Sequence, residues 1–509
     1  MSAEQPAQIL AELARLRQLD APTHGGRVLS YMYDSGDPTI DQLARDAGEM
    51  ALPLNGLDPT TFPSIAAMER DLVSFVRRAL NGQTHALSGG PVVGSVTSGG
   101  TESCLLAVKT ARDLWRADHP ELAATLARDG RKPRLVTTTL VHAAFHKAAR
   151  LFDLEWDPVP CEPDGSVRAE HLVDRLGPDV ALVVVSAPAY PSGIIDPIAE
   201  VSSAAHRLRI SCHVDACFGG LALPWWPGVA PWDFRLRGVT SVSADLHKFG
   251  YAPKGVSVLL HRGRRRHRAQ FFATTRWAGY PVVNPTLLGS RSAAPLASAW
   301  AITRYLGPDG FASLTASCVR AMDRIASEAR SIPGLAVWGS PTGPAVALVA
   351  DELAPERERV DPHHLADEVG RRGFRIQHQP GSTQPDGTRL PHSAHLTITP
   401  VTERALPKLL AALSGAADAV RGRPRANPRV ELTALAALGF APTRRRSSYQ
   451  VPSPATAWRI LKLAGVNPGK GSALPGNLAP LMALAEQLPA PVAEALLTEL
   501  LARVSEPSE

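Results

Sequence analysis

Three short stretches carry the residue types from which a reactive site could be built. In Val96-Thr-Ser-Gly-Gly-Thr-Glu-Ser-Cys104, two glycines allow a sharp turn between an apolar run and a helical one. Amides just past such a turn project from a helix N-terminus and bind phosphate or another anion, which makes Gly99, Gly100 and Thr101 a candidate cradle. No Gly-Lys-Ser/Thr follows, so this is not a nucleotide-binding P-loop, and taken alone the stretch also fits a plain turn capped near Thr101. In Cys212-His-Val-Asp-Ala216, Asp215 ends an apolar strand, where a carboxylate is costly to desolvate unless a cation meets it; a loop-capping role is the plain alternative. In Ser243-Ala-Asp-Leu-His-Lys-Phe-Gly250, Lys248 follows a short strand, with His247 before it and a glycine two residues later. Only eight of the 54 basic residues are lysine, so lysines in glycine-containing loops, here Lys248 and Lys254, call for a reason beyond positive charge.

Asp215 and Lys248 are 33 residues apart, enough for one crossover between strands of a sheet. An amine, a carboxylate and a phosphate cradle at the strand ends of one sheet suit pyridoxal phosphate. The amine would form a Schiff base with the aldehyde, the carboxylate would keep the pyridine nitrogen protonated, and the amides would hold the phosphate. His142 is poorly specified by its own surroundings: a histidine at a helix start can sit in a core wall as readily as stack on a ring. His213 reads as an inward strand residue hydrogen-bonded to backbone.

The elements that must position these groups alternate. Strands are expected at Val92–Val96, Arg134–Thr138, Val180–Ser186, Ile210–Asp215, Val239–Ala244 and Val256–His261, with helical stretches such as Glu102–Trp115, Ala143–Leu151 and Ile198–Leu208 between them. Short, wholly apolar strands separated by helices predict an α/β fold whose mainly parallel sheet is covered on both faces. The organisation expected is an N-terminal arm over 1–62, a large domain over 63–309, a small α+β domain over 310–421 and a helical extension over 422–509. The small domain opens with a helix at Ala312–Arg330, and the extension holds about four short helices.

Composition excludes several classes. With 44% hydrophobic and 20% charged residues the 509-residue chain is not predominantly disordered, and no apolar run is long enough to span a bilayer. The five cysteines are odd in number with no Cys-x-x-Cys pair, which argues against a disulfide scaffold or zinc knuckle and for a reducing cytoplasm; no metal site is expected. The net charge of +6 is small for this length. Arginine clusters at Arg262–Arg268, Arg421–Arg429 and Arg444–Arg446 lack the interleaved aromatics of a nucleic-acid platform and read as solvated surface.

The chain resembles the group II pyridoxal-phosphate-dependent decarboxylases, and within them looks most like the sphingosine-1-phosphate lyases. The matching stretches, in family order, are Asn55–Pro63, Thr97–Ser103, His142–Ala149, Gly193–Pro197, His213–Ala216, Ser243–Gly255 and Asn284–Arg291. The resemblance implies fold type I, a Schiff base on Lys248, His142 stacked on the cofactor ring, Asp215 at its nitrogen, and Gly100, Thr101 and His247 on its phosphate. It further implies a homodimer in which Ser290 reaches the neighbouring subunit's cofactor, and a substrate-phosphate site built from Lys254, Asn55 and the Tyr31/Tyr33 region. Two positions depart from the pattern: Asp58 stands where the lyases carry histidine, and Ser192 where the family often has histidine or tyrosine. An acidic Asp58 would repel a substrate phosphate, so the first expectation is a carboxy-lyase acting on an L-amino acid. The second is an aldehyde-lyase acting on a phosphorylated amino alcohol. A catalytically silent basic binding protein is a third reading, opposed by the intact Lys248, Asp215 and His142 set. An aminotransferase shares the fold and is not excluded on physical grounds.

Overall fold

The computed structural model describes residues 5–83, 90–440, 449–463, 466 and 476–507. Its centre is a seven-stranded sheet made of β1 (Val92–Thr97), β2 (Arg134–Thr138), β3 (Glu155–Val159), β4 (Val180–Ser186), β5 (Ser211–Asp215), β6 (Ser241–Ala244) and β7 (Ser257–Arg262). The spatial order is β1-β7-β6-β5-β4-β2-β3. The pairs from β6 through β3 are parallel, and β7 runs antiparallel to both its neighbours. β1, β2, β4, β5 and β6 therefore share one direction, and their carboxyl ends lie along one edge of the sheet.

Six of the seven strands coincide with the apolar runs of the sequence. The exception, β3, reads Glu-Trp-Asp-Pro-Val and carries charge and a proline. As an edge strand paired on one side only, it tolerates a residue without an N–H. The interior strands behave as expected, with every residue of β4 to β7 buried.

A hairpin follows, β8 (Phe272–Thr274) with β9 (Val282–Asn284). The helix expected from Ala312 begins a few residues earlier, at Pro308, directly after Gly307, whose non-helical φ of 54° separates it from a preceding helix that starts at Ala294; it ends at Ser331. The boundary expected at 309/310 thus falls just beyond this break. The arm also holds a helix not expected from sequence, Pro38–Ala51, capped by the Asp37 carboxylate and tied to the helix that starts at Ala294 by Ser298 Oγ donating to Ala44 O at 2.6 Å.

β10 (Leu335–Val337), β11 (Ala345–Ala350), β12 (Gln377–Gln379) and β15 (Ser393–Thr397) form a second sheet in the order β10-β11-β15-β12, all antiparallel, with the small hairpin β13 (Ser382–Thr383) and β14 (Arg389–Leu390) beside it. Helices Pro362–Arg371 and Pro400–Val420 pack with it around its own apolar core, which includes Leu348, Phe374, Leu396 and Leu413. Beyond it lie helices Arg429–Ala437, Pro454–Leu463, Ala479–Ala485 and Ala490–Val504.

Among the basic clusters, Arg262 donates to the carbonyls of Val239, Phe234 and Leu236, Arg265 pairs with Asp118 at 3.0 Å, and Arg266 donates to Ser211 Oγ at 2.7 Å. Those charges serve the fold. Arg444–Arg446 lie outside the described residues. Among the described residues no helix is long and apolar enough to cross a membrane.

Candidate active site

The shared strand edge opens into a cavity of about 620 Å³. Each co-directional strand delivers one part of its wall: β1 gives Ser98, Gly99, Gly100 and Thr101; β2 gives His142; β4 gives Ser186 and Pro188; β5 gives Asp215 and Cys217; β6 gives Asp245, His247 and Lys248. Register explains the convergence, since Ser186, Asp215 and Ser243 are direct cross-strand neighbours. A crevice at the carboxyl ends of parallel strands is where such sheets bind ligands. Tyr31 and Tyr33 of the arm, Tyr190, and Gln377 and Gln379 of the second sheet close the cavity.

Helix Gly100–Asp118 points its N-terminus into this space. Gly99 caps it with φ 156°, and no side chain satisfies the first amides. A Cβ on Gly100 would lie 2.6 Å from Asp245 Oδ2, so glycine is required for the helix start to reach the β6 loop. Buried Glu102 fixes this turn: Oε2 accepts from Ser98 N at 2.6 Å, while Oε1 accepts from Leu287 N at 2.6 Å, tying the cradle to the loop that carries Ser290.

Lys248 Nζ lies 2.9 Å from Asp245 Oδ2. The i, i+3 spacing across the bend brings the two together. Burial works against the ammonium, but the Asp245 charge outweighs it and holds Lys248 above the ordinary lysine range. Burial likewise opposes the Asp245 carboxylate, yet Lys248 and a hydrogen bond from His247 push its pKa below the usual value. His247 is already committed, with Nδ1 facing Val256 N at 3.3 Å and Nε2 near Asp245 at 3.4 Å. It lines the cavity with both ring nitrogens engaged by protein.

Asp215 differs. It is only 8% exposed, and no cation pairs with it among the described residues. Cys217 N at 3.1 Å and Ser243 Oγ at 3.4 Å both donate to Oδ1, and no protein donor reaches Oδ2. A carboxylate lining a cavity without a countercharge is poised for a cationic ligand. Beneath it His213 is wholly buried. Its ring nitrogens meet Ser241 Oγ at 2.9 Å and Ser243 Oγ at 3.2 Å rather than backbone, and burial lowers its pKa to about 4 against the opposing pull of Asp215.

Lys254 does not line the cavity itself but touches two residues that do, His247 and Tyr33. Nζ donates to His247 O at 3.0 Å and lies 4.4 Å from the centre of the Tyr33 ring. Burial, with the Lys248 charge, lowers its pKa to about 8, and no carboxylate pairs with it among the described residues. Asn55 and Ser290 are not in the cavity wall. They meet each other, Asn55 Nδ2 donating to Ser290 Oγ at 3.2 Å, and Ser290 lines a separate cavity of about 210 Å³. Asp58 is also elsewhere, engaged with the amide and hydroxyl of Thr60 and the hydroxyl of Thr61, which hold its pKa near 2. Ser192 is fully buried and turned to its own loop, its hydroxyl 3.3 Å from Ile194 N.

An amine, an unpaired carboxylate and an uncapped helix N-terminus in one cavity fit the aldehyde, pyridine nitrogen and phosphate of pyridoxal phosphate. Residues 30–333 match the pyridoxal-dependent decarboxylase conserved domain. The chain belongs to the pyridoxal-dependent decarboxylase family. Residues 431–503 match a C-terminal putative HTH domain of pyridoxal-dependent enzymes. The sphingosine-1-phosphate lyase of Oryza sativa is 32% identical over 82% of this chain and 74% of its own length. That of Rattus norvegicus is 31% identical over 78% of this chain and 65% of its own, so the chain spans about two thirds to three quarters of these longer relatives. A probable L-tyrosine/L-aspartate decarboxylase of Methanoregula boonei is 34% identical over 60% of this chain and 76% of its own. Among solved structures, a Burkholderia pseudomallei sphingosine-1-phosphate lyase superposes with a TM-score of 0.73 at 31% identity, covering 86% of this chain and 96% of that one. This member of the family is a pyridoxal-phosphate-dependent lyase with the fold-type I architecture.

Asp245 and Glu102 are the supporting residues that motif reading passed over. A signal for Asp245 was present, an acid one helical turn before the lysine; for Glu102 there was only its place in the first turn of a helix.

Proposed function

We propose that the enzyme is an aldehyde-lyase that cleaves a phosphorylated amino alcohol, with Lys248 as the residue that captures the cofactor. The observation that carries this reading is Lys254: a second ammonium, without a paired carboxylate among the described residues, that touches two residues of the cavity wall, His247 and Tyr33. A substrate bearing a remote anion has a cation to meet there. The objection from Asp58 weakens, because in the chain itself its carboxylate caps its own turn and does not enter the cavity. The similarity to sphingosine-1-phosphate lyases supports phosphate as that anion.

When bound, pyridoxal phosphate supplies an aldehyde for amines and a ring that accepts the electron pair of a breaking bond at the substrate α-carbon. The residues of this chain do the rest. The amides at Gly100 and Thr101 hold phosphate at the helix N-terminus. Asp215 would hold the proton of the ring nitrogen through its open Oδ2, and His142, in the same cavity wall, would pack against the ring. Lys248 would hold the aldehyde and, as a free amine, could take a proton from the substrate and give it back, with the Asp245 carboxylate 2.9 Å away stabilising the ammonium form. Lys254 anchors the remote anion, which decides which bond stands over the ring. We further infer a cytoplasmic homodimer; the pairing of Asn55 with Ser290 outside their own cavity supports the dimer.

A second reading, decarboxylation of an acidic amino acid, is favoured by the same Lys254 cation and by the Methanoregula relative. Offering phosphorylated amino alcohols and a panel of L-amino acids, while assaying aldehyde and CO₂ separately, decides between them. Aldehyde from the phosphorylated substrate is expected; CO₂ from aspartate or glutamate without aldehyde would reverse the assignment.

A further inference from the structure

Below the cofactor cradle lie two thiols that the lyase reaction does not use, beside Asp215, which it does. Cys104, in the first turns of the helix that bears the cradle, and Cys217, two residues after Asp215, bring their sulfurs to 3.9 Å. Both thiols are buried and both line the main cavity. One sulfur from each and a carboxylate oxygen of Asp215 all lie within 4.8 Å of one another. A disulfide needs its sulfurs about 2.05 Å apart. A tetrahedral ion with metal–sulfur bonds of about 2.3 Å holds two sulfurs about 3.8 Å apart. The observed separation matches the second geometry, and it joins two elements that the fold fixes independently, a helix N-terminus and a strand end.

We propose that Cys104, Cys217 and Asp215 form a binding site for a soft divalent cation of the zinc class, and that its occupation expels the cofactor. Two thiolates and one carboxylate supply three ligands, leaving the fourth position to water. The thiols release their protons to solvent as the ion binds. Cys217 Sγ now donates to Ser243 Oγ at 3.2 Å, a contact the ion would replace. Ligation draws the charge of the Asp215 carboxylate toward the ion and away from the ring nitrogen it would otherwise face; the ion with two thiolates and the carboxylate is net −1, as the metal-free site is, so the competition is for this one carboxylate. The competition, though not the binding, rests on the role proposed above for Asp215. Cys104 and Cys217 stand 113 positions apart, so no sequence spacing announces the site.

The test is to dialyse the full-length enzyme, carrying its cofactor, against zinc chloride under reducing, anaerobic conditions. Bound zinc is measured by elemental analysis and released cofactor by absorbance. About one zinc per chain is expected, with cofactor lost in proportion. Cys104→Ala and Cys104→Ser should bind zinc at least about tenfold more weakly and keep their cofactor, while Cys318→Ala, a buried thiol outside the group, should behave as the parent enzyme. Zinc bound as tightly by both Cys104 variants, or zinc bound with the cofactor still in place, would overturn the proposal. Absence of bound zinc with the cofactor still fixable on Lys248 would defeat this inference alone. Zinc binding that depends on Cys104, in a chain whose cofactor is on another lysine, would defeat only the reading of the lyase site.

Discussion

Two regions of the molecule each bury several charges, and the two treat them differently. Where helix Pro362–Arg371 and the second sheet meet the C-terminal helices, each buried carboxylate is closed by protein. Asp361 meets His392 at 2.8 Å, Asp367 meets His378 at 3.1 Å and accepts from Leu478 N and Ala479 N, and Glu486 meets His363 at 3.0 Å and Gly381 N at 3.1 Å, with Arg425 against its other oxygen. At the strand edge of the large sheet, Asp215 keeps an unengaged oxygen, a helix start keeps its first amides, and Lys254 has no acid. Carboxylates paired in this way hold elements together, even though His363 Nδ1 and Arg425 Nε have no hydrogen-bond partner among the described residues. Unpaired groups at a cavity mark where a ligand finishes the set. The junction fastens the tail to the catalytic part; the edge binds.

Substitutions should separate these roles. The largest effect is expected for Lys248→Ala, which should lower turnover by about 10³ or more and abolish covalent retention of cofactor, seen by absorbance after dialysis. Asp215→Asn keeps an acceptor for Cys217 N but loses the charge. Turnover should fall about 10² while most cofactor is kept; equal losses of both would reduce Asp215 to a structural role. At the junction, Asp367→Ala leaves two amides and His378 without their acceptor. A loss of about 1–3 kcal/mol, read as protease cleavage of the tail with turnover unchanged, would sharpen the contrast; loss of turnover in step with cleavage would break it.

Acid should act on the junction. Burial, with the nearby His392, lowers the His363 pKa from 6.5 to about 3, so the imidazole is neutral when docked. A group with a depressed pKa that must be neutral contributes fully above 6.5. Its contribution falls as the detached form takes up a proton below that, by about 2 kcal/mol at pH 5. Asp361 and Asp367 resist burial through their histidine and amide partners and sit below the usual carboxylate range, so their share is lost only at still lower pH, in the same direction. Hydrogen exchange in 476–504 should therefore rise between pH 7 and 5, and because neutral His213 in β5 faces the same cost, β5 should respond over the same range.

The strand edge was legible in the sequence because it is made of short continuous stretches: a glycine turn, a strand-end acid and a loop lysine each announce themselves locally. The antiparallel β7, the edge strand β3 with its proline, and the helix break at Gly307 were not legible in detail, since tertiary pairing decides them. The junction was invisible. His363, His378, His392 and Glu486 come from separate elements, and nothing local marks them as partners. Asn55 and Ser290 show the converse limit, recognisable in sequence yet set outside the cavity of their own chain.

The central claim is that the Lys248 amine holds the cofactor. Borohydride reduction of the yellow enzyme, followed by peptide mapping, tests it most directly. The modified residue should be Lys248, in the peptide that also contains Asp245; label on Lys254 or any other lysine would contradict the account.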